Sequence, residues 1–323
     1  VRVLVTGAGG FIGSHLVERL TQEGYAMRAF VHYNSRGRWG WLEESPVRNE
    51  IEVIAGDVRD YDLVRRAVEG VSVVFHLAAL IGIPYSYLSP VAYIRTNVEG
   101  TYNLLQAARE VGVSRFVHTS TSEVYGTARY VPIDEEHPLQ AQSPYAASKI
   151  AADQLALSYF RSYGLPVTIA RPFNTFGPRQ SARAVIPTIL AQVLSGRETI
   201  RLGNLRPTRD FNYVVDTVDG FLALAHCDRA VGEVVNIGSG RETSIGEIVD
   251  IVGRIVGREI RVAVEDDRIR PEKSEVECLV CGNAKIKGLT GWQPRHSLEE
   301  GLALTVEWMA HHLDLYKPEM YNV

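Results

Sequence analysis

Glycines at positions 7, 10 and 13 constrain this chain more than any other feature. They lie in Val5-Thr6-Gly7-Ala8-Gly9-Gly10-Phe11-Ile12-Gly13, spaced G-x-x-G-x-x-G, directly after a short β-branched run. Passing from strand to helix in so few residues needs glycine for the tight turn and for close helix–sheet contact. The segments that follow keep to that plan. Arg2–Val5, Met27–Val31, Ile51–Ile54, Val71–Leu77, Arg115–Thr119 and Val167–Ala170 read as strands. Phe11–Leu20, Asp60–Val68, Val91–Val111 and Tyr145–Tyr163 read as helices between them. Alternation without hairpin turns demands right-handed crossovers and a parallel sheet covered on both faces.

The pattern loosens after Arg171, where Pro172, Pro178, Pro187, Pro207 and Pro271 punctuate shorter segments. The expected fold class is α/β: a doubly wound parallel-sheet domain over 1–172, with a smaller α/β substrate domain mainly over 173–323. The strand-like run Val234–Ile237 is expected to return to the main sheet, so the first domain takes in parts of 212–240 and the two are interleaved. Ligands of such sheets collect at the C-terminal edge of the strands.

With 22% charged residues, a net charge of −4 and no Lys/Arg block, neither nucleic acid nor a membrane surface is an expected partner. The longest nearly apolar stretch, Val71–Ile83, is too short to cross a bilayer. The chain opens straight into a core-type strand, so no secretory leader is expected. Three cysteines cannot make a disulfide framework, which suits a reducing cytoplasm. Cys278 and Cys281 form a C-x-x-C, but on a strand they point to opposite faces and Cys227 cannot complete a zinc site; two small buried thiols is the better reading. His311-His312 lacks partners at metal spacing and reads as surface.

The glycine triplet, placed first in a βαβ series, predicts a dinucleotide with its pyrophosphate at the helix N-terminus. Asp57 follows the third strand and is a candidate for the adenine, or else a helix-start residue. The second strand would normally end in an acid that bonds the ribose 2′-hydroxyl. Here the stretch is Phe30-Val31-His32-Tyr33, with Arg36 and Arg38 beyond it. Guanidinium groups there suit a 2′-phosphate, which favours NADP over NAD, unless they are merely solvated loop charges.

Tyr145 and Lys149 stand one helical turn apart. A phenol titrates near ~10 and is a poor base at neutral pH unless a cation stabilises its phenolate. An ammonium one turn away does so and can also bind the nicotinamide ribose. The pair follows Ser143-Pro144, a helix start. Upstream, strand Arg115–Thr119 runs into Ser120-Thr121-Ser122-Glu123. Thr121 would sit at the strand's C-terminal end, able to polarise a substrate oxygen near Tyr145, with the Glu123 carboxylate close by.

Gly7 to Gly13, His76-Leu77-Ala78-Ala79, Thr121-Ser122-Glu123, Tyr145-x-x-x-Lys149 and Arg171-Pro172-Phe173-Asn174 together resemble the extended short-chain dehydrogenases/reductases that modify nucleotide sugars. The resemblance spans essentially the whole chain. Phe30 to Ser35, His118 to Ala128, Asn174 to Pro187, Pro207 to Tyr213 and Arg270-Pro271-Glu272 are similar to the 4,6-dehydratases of the legionaminic-acid pathway, which act on nucleotide-linked N-acetylglucosamine.

That resemblance implies a set of roles. The Thr121 hydroxyl bonds the sugar O4, Tyr145 takes its proton, and C4 gives a hydride to the nicotinamide. Glu123 then removes the C5 proton, the C6 hydroxyl leaves, and the hydride returns to C6. Ser122 stands where dTDP-glucose dehydratases carry an Asp, but GDP-mannose 4,6-dehydratases also place Ser before Glu. Cofactor contacts are implied for Phe11, Ile12, His32, Asn34, Asp57, Val58, Leu77, Ala78, Ala79, Thr119 and Pro172. Substrate contacts are implied for Ile81, Asn174, Arg183, Ala184, Val185, Ile186, Arg209 and Arg270; an ion pair with Asp210 is the plain alternative for Arg209. The long helices Val91–Val111 and Tyr145–Tyr163 imply a homodimer through a four-helix interface. A UDP-sugar 4-epimerase, which needs no C5 base, and a UDP-glucuronate decarboxylase are the competing chemistries. A non-catalytic NADP sensor is the alternative outside enzymes, and the intact Thr121, Tyr145 and Lys149 speak against it.

Overall fold

The computed structural model describes residues 1–265, 268 and 272–319. Its centre is a seven-stranded parallel sheet. In chain order the strands are β1 (Arg2–Thr6), β2 (Ala26–His32), β3 (Glu52–Gly56), β4 (Val73–His76), β5 (Arg115–Thr119) and β6 (Val167–Pro172), followed by three short strands, β7 (Asn174–Phe176), β8 (Thr199–Leu202) and β9 (Thr208–Arg209), then β10 (Phe211–Tyr213) and β11 (Val234–Ile237). The sheet order is β11-β6-β5-β4-β1-β2-β3. Strand order reverses at β1, so the crevice between the ends of β1 and β4 is where such a sheet receives a ligand. Val234–Ile237 does return to the main sheet, paired in parallel with β6.

Alternate residues of each strand face opposite layers, which is why the strands read as continuous apolar runs. Val3 and Val5 pack with Leu16, Val17 and Leu20 of helix α1 (Phe11–Gln22). Leu4 faces the other way, into a cluster with Val64 and Ala67 of α2 (Tyr61–Val68). Each such fully buried Val or Leu side chain contributes ~1.5–3 kcal/mol. Beyond α2 come α3 (Ile83–Leu88), α4 (Pro90–Tyr93), α5 (Gly100–Val111) and α6 (Pro144–Tyr163). Leu104, Leu105 and Leu157 place α5 and α6 in the layer of α2.

The expected single helix over Val91–Val111 carries a π-helical stretch, Ile94–Glu99, between α4 and α5. The widened turn brings Asn97 round to staple Leu80. Its Oδ1 accepts from Leu80 N at 2.8 Å, and its Nδ2 donates to Leu80 O and to Ser148 Oγ, both at 2.9 Å. Apolar spacing does not record a one-residue insertion of this kind.

A second core gathers Ile189 and Leu190 of α7 (Val185–Leu194), Ile200 and Leu202 of β8, and Tyr213 of β10. Further along, α8 (Val214–Ala225) packs on the main sheet beside α1, α9 (Ile245–Val256) joins the second core, α10 (Ala284–Thr290) packs through Ile286 with α8 on the main sheet, and α11 (Leu298–His311) completes the second core. Cys281 is buried as expected, whereas Cys278 is only half-buried, because the strand containing it is two residues long and leaves one face open. No helix among the described residues is long and apolar enough to cross a membrane.

Candidate active site

The turn between β1 and α1 is closed by backbone. Gly7 has φ +69°, and a Cβ there would stand 2.9 Å from Ala78 N. A Cβ at Gly13 would fall 2.2 Å from Gly7 O, so the helix meets the turn with no room for a side chain. Gly10 caps α1 without a side-chain hydrogen bond, and the first turn holds no acid. Its N–H groups are therefore open to an anion, the condition for a pyrophosphate. Thr6 fastens the neighbouring strand end: its O accepts from Leu77 N and its Oγ1 from Ala78 N, each at 3.2 Å. Leu77-Ala78-Ala79 thus lie beside the glycine turn, as a dinucleotide site requires.

At the end of β2, His32 and Arg36 are exposed. Asn34 organises the loop beyond: its Oδ1 accepts from Arg36 N at 3.2 Å and Arg38 N at 3.1 Å. Arg38 itself is engaged by Glu43 at 2.8 Å. Of the two guanidinium groups expected there, only that of Arg36 has no ion-pair partner among the described residues. Asp57 does not start α2; Asp60 does, accepting from Leu63 N. The Asp57 carboxylate is held instead by Arg59 and, with Arg59, Asp60, Arg95 and Glu99, lines a cavity of about 510 Å3 at the end of β3. Val58 is buried beneath it.

The reacting groups converge at the ends of β5 and α6. Ser143 caps α6, accepting from Ala146 N at 3.1 Å, with Pro144 at the first helical position. That cap aims Tyr145 inward: it is 7% exposed. Thr121 caps a short 3-10 turn, Ser122–Tyr125, accepting from Glu123 N at 3.3 Å. The Tyr145 phenol is pushed up by burial, pulled down by a hydrogen bond with Thr121, and pushed up again by the nearby Glu123 and Tyr93. Thr121, Glu123 and Tyr145 therefore meet in one place. Burial, which a linear spacing cannot show, works against a phenolate here, and the group that lowers the phenol is the Thr121 hydroxyl.

Lys149 is 4% exposed and donates from Nζ to Thr119 O at 2.6 Å. Burial lowers its pKa to about 8, opposed by Asp153. Asp153 receives Ser120 Oγ at 2.6 Å and Arg171 Nη2 at 2.8 Å, and is held down to about 2 despite burial by His118, Arg171 and Ser120. Ser122 is buried.

The other side of the cleft is set by β6, β7 and α7. Pro172 ends β6 and Asn174 opens β7, with its Oδ1 buried and unpartnered among the described residues. Ala184 caps α7 without a side-chain bond, leaving the N–H groups of Val185 and Ile186 at an open helix start. Arg183 is exposed at the rim, close enough for its charge to act on Tyr93. Arg209 is nearly buried and pairs with Glu275 at 3.5 Å. Asp210, its expected alternative partner, instead accepts from Ser239 N and Gly240 N at 2.9 and 2.7 Å. Ile81 is exposed at the mouth. Arg270 lies outside the described residues.

Tyr93 was not foreseen. Its ring meets that of Tyr145 edge-on at 6.2 Å, and with Ile83 and Leu80 it walls the site. Asp153 was also missed, although a lone acid one turn beyond Lys149 on an otherwise apolar helix face was a readable signal.

A parallel sheet with a glycine turn at its switch point and a buried Tyr/Lys pair at its C-terminal edge defines a short-chain dehydrogenase/reductase. The family profile described as GDP-mannose 4,6 dehydratase matches residues 4–305. The chain belongs to that family, within the extended short-chain enzymes that include nucleotide-sugar dehydratases and epimerases. It is 35% identical to the UDP-glucose 4-epimerase of Mycolicibacterium smegmatis, over 95% of this chain and 98% of that one. It is 33% identical to the dTDP-glucose 4,6-dehydratase of Streptomyces antibioticus, over 98% and 95%. The structure of DesIV, the dTDP-glucose 4,6-dehydratase of Streptomyces venezuelae with NAD and TYD bound, superposes with a TM-score of 0.88 at 32% identity, covering 98% of this chain and 99% of that one.

Proposed function

We propose that this protein is a 4,6-dehydratase of a nucleotide-linked N-acetylhexosamine, using NADP in preference to NAD. The observation that carries the reading is the Glu123 carboxylate beside the Thr121–Tyr145 hydrogen bond. Oxidation at C4 needs only the last two; a carboxylate at the same corner adds a base for C5.

The glycine turn, Leu77–Ala79 and Lys149 would hold a dinucleotide, which when bound would supply a reversible hydride acceptor for C4 and C6. Tyr145 removes the O4 proton while Thr121 holds that oxygen in place. Lys149, charged and fixed by Thr119 O, offsets the cost of the buried phenolate. Glu123 takes the C5 proton, made acidic by the new ketone, and delivers it to the departing C6 hydroxyl, which leaves as water; once C6 has regained hydride, a proton from solvent restores C5. Two structures relatives of this chain support a nicotinamide dinucleotide: DesIV with NAD, and a Thermus thermophilus UDP-glucose 4-epimerase with NAD. The preference for NADP rests on the missing acid after β2 and on Arg36.

The acetamido group is supported by the wall of Leu80, Ile83 and Tyr93, which offers apolar contact and no charge. The nucleotide would bind across Asn174, the start of α7 and Arg209. One observation favours a second reading: the Arg183 charge near Tyr93 suits a sugar carboxylate, as in a UDP-glucuronate decarboxylase. A homodimer is supported by Leu88, Val91, Ile94 and Tyr102, all exposed along the helical stretch 83–111.

Mass spectrometry after incubation with UDP- and GDP-N-acetylglucosamine and UDP-glucuronate tests the function. A hexosamine product lighter by one water is expected. Unchanged mass with a shifted retention time would make the protein an epimerase, loss of carbon dioxide from the uronate a decarboxylase, and cofactor binding without turnover a sensor.

A further inference from the structure

One buried guanidinium joins the three pieces of chain that carry the reacting groups. Arg171, on β6, is 2% exposed. Its Nη2 pairs with Asp153, one turn beyond Lys149 on the helix of Tyr145. Its Nε donates at 3.3 Å to Ser120 Oγ, the residue before Thr121. Its Nη1 donates at 2.8 Å to the Tyr125 hydroxyl, on the 3-10 turn of Glu123. The Tyr125 hydroxyl in turn donates to Asn236 Oδ1 of β11 at 2.8 Å. Its ring is fully buried, edge-on to His137 at 5.4 Å and beside Phe173 at 6.3 Å.

These links are not equivalent. Asp153 and Ser120 bind each other at 2.6 Å, so α6 and the end of β5 stay joined whatever happens at Tyr125. The turn that carries Glu123 reaches the guanidinium through Tyr125, whose hydroxyl accepts from Nη1 and whose ring centroid lies 4.8 Å from the guanidinium carbon; only the hydroxyl link is directional. That hydroxyl sits two residues from the carboxylate and is locked between a donor on β6 and an acceptor on β11.

We propose that Tyr125 is a positioning residue for Glu123, aiming that carboxylate at C5 without touching substrate. The inference rests on the function proposed above, in which Glu123 acts only after C4 is oxidised. Removing the Tyr125 hydroxyl should therefore divide the reaction at that point. Tyr145 and Thr121 keep their places and oxidation proceeds; the base is misaimed and water loss slows. Displacements of about an ångström cost up to ~10²-fold in rate.

The test is Tyr125→Phe in the full chain with cofactor bound, mixed with UDP-N-acetylglucosamine in a single turnover. Absorbance of the reduced nicotinamide reports the first step and product mass the second. We expect reduction within about twofold of wild type and water loss slowed by about 10–100-fold, so that reduced cofactor accumulates. Asn236→Ala, which removes the acceptor of the Tyr125 hydroxyl and leaves the ring, should show the same split and serves if Tyr125→Phe does not fold. Equal slowing of both steps, or no slowing of either, would overturn the proposal. A wild-type protein that never reduces its cofactor with a nucleotide sugar would bring down the proposed function first, and this inference with it.

Discussion

The glycine turn and the Tyr145 corner face one cleft and are built by opposite means. The turn is backbone throughout: Gly13 lies so close to Gly7 O that a methyl group does not fit, and the anion-binding groups are main-chain N–H. The corner is side chain throughout. Thr121 and Glu123 come from the turn after β5 and Tyr145 and Lys149 from α6, and the two are joined below by Asp153, Ser120 and Arg171. A backbone site has few ways to vary, whereas a side-chain site can change one member and keep the rest. That difference suits a fold whose relatives include both UDP-glucose 4-epimerases and dTDP-glucose 4,6-dehydratases. On the proposed mechanism the first step of both chemistries needs only Tyr145, Thr121 and the turn, and the later step depends on what stands at Glu123.

The contrast breaks if the corner proves indivisible. Tyr145→Phe should lose C4 oxidation by on the order of 10³–10⁴-fold, read as reduced nicotinamide in a single turnover. Normal oxidation by that variant would remove the phenol from the mechanism. Glu123→Gln should slow water loss by about 10²–10³-fold while still exchanging hydride at C4. Its product, followed by mass, should stay at the substrate's value. If oxidation falls as far as dehydration, the two steps share one base and the corner is a single unit.

The same contrast explains what could be read in the sequence. The glycine turn is local, so three residues within seven positions announced both the turn and the parallel sheet behind it. Tyr145 and Lys149 share a helix face for the same reason. Thr121 and Glu123 were readable as the end of a strand, but their distance to Tyr145 depends on β5 and α6 packing side by side. The π-helical turn at Ile94–Glu99 left no trace in apolar spacing, and with it Tyr93 and Asn97 went unread as parts of the site. Charges were the least legible part. The sequence did not show that Arg38 and Asp57 each pair with a neighbour within a few residues, Glu43 and Arg59. Local ion pairs of this kind form only once the loop has its shape.

Protons separate the two regions as well. His15, on α1 behind the glycine turn, is pushed from 6.5 to about 4, first by burial and then by Arg179. The unfolded chain takes up that proton first as pH falls, so stability present above pH 6.5 is lost between 6.5 and about 4, by up to about 3 kcal/mol. Lys149 gives a slope of the same sign in a higher window. Burial lowers it from 10.5 to about 8, so its unfavourable charge is relieved, and stability rises, between about 8 and 10.5. Thermal melts across pH should show an acid slope that His15→Gln flattens and an alkaline slope that Lys149→Met flattens. A single variant removing both slopes would mean that the two regions titrate as one.

The smallest expected effect sharpens the comparison at its open edge. The loop after β2 leaves the Arg36 guanidinium exposed while Glu43 occupies Arg38, so on the proposed preference for NADP the 2′-phosphate would be read by one side chain on an otherwise backbone-built site. A solvent-exposed, charge-assisted pair of this kind contributes about 1.5 kcal/mol, or roughly tenfold in affinity. Arg36→Ala should raise the Kd of NADP about tenfold, leave that of NAD within about twofold, and lose its effect as salt is added. Titration calorimetry with both dinucleotides at two ionic strengths decides it. Equal weakening of both would show that Arg36 shapes the loop rather than reads the phosphate. No change in either would return the choice of dinucleotide to the main-chain groups around Asn34, as backbone-built as the rest of the turn.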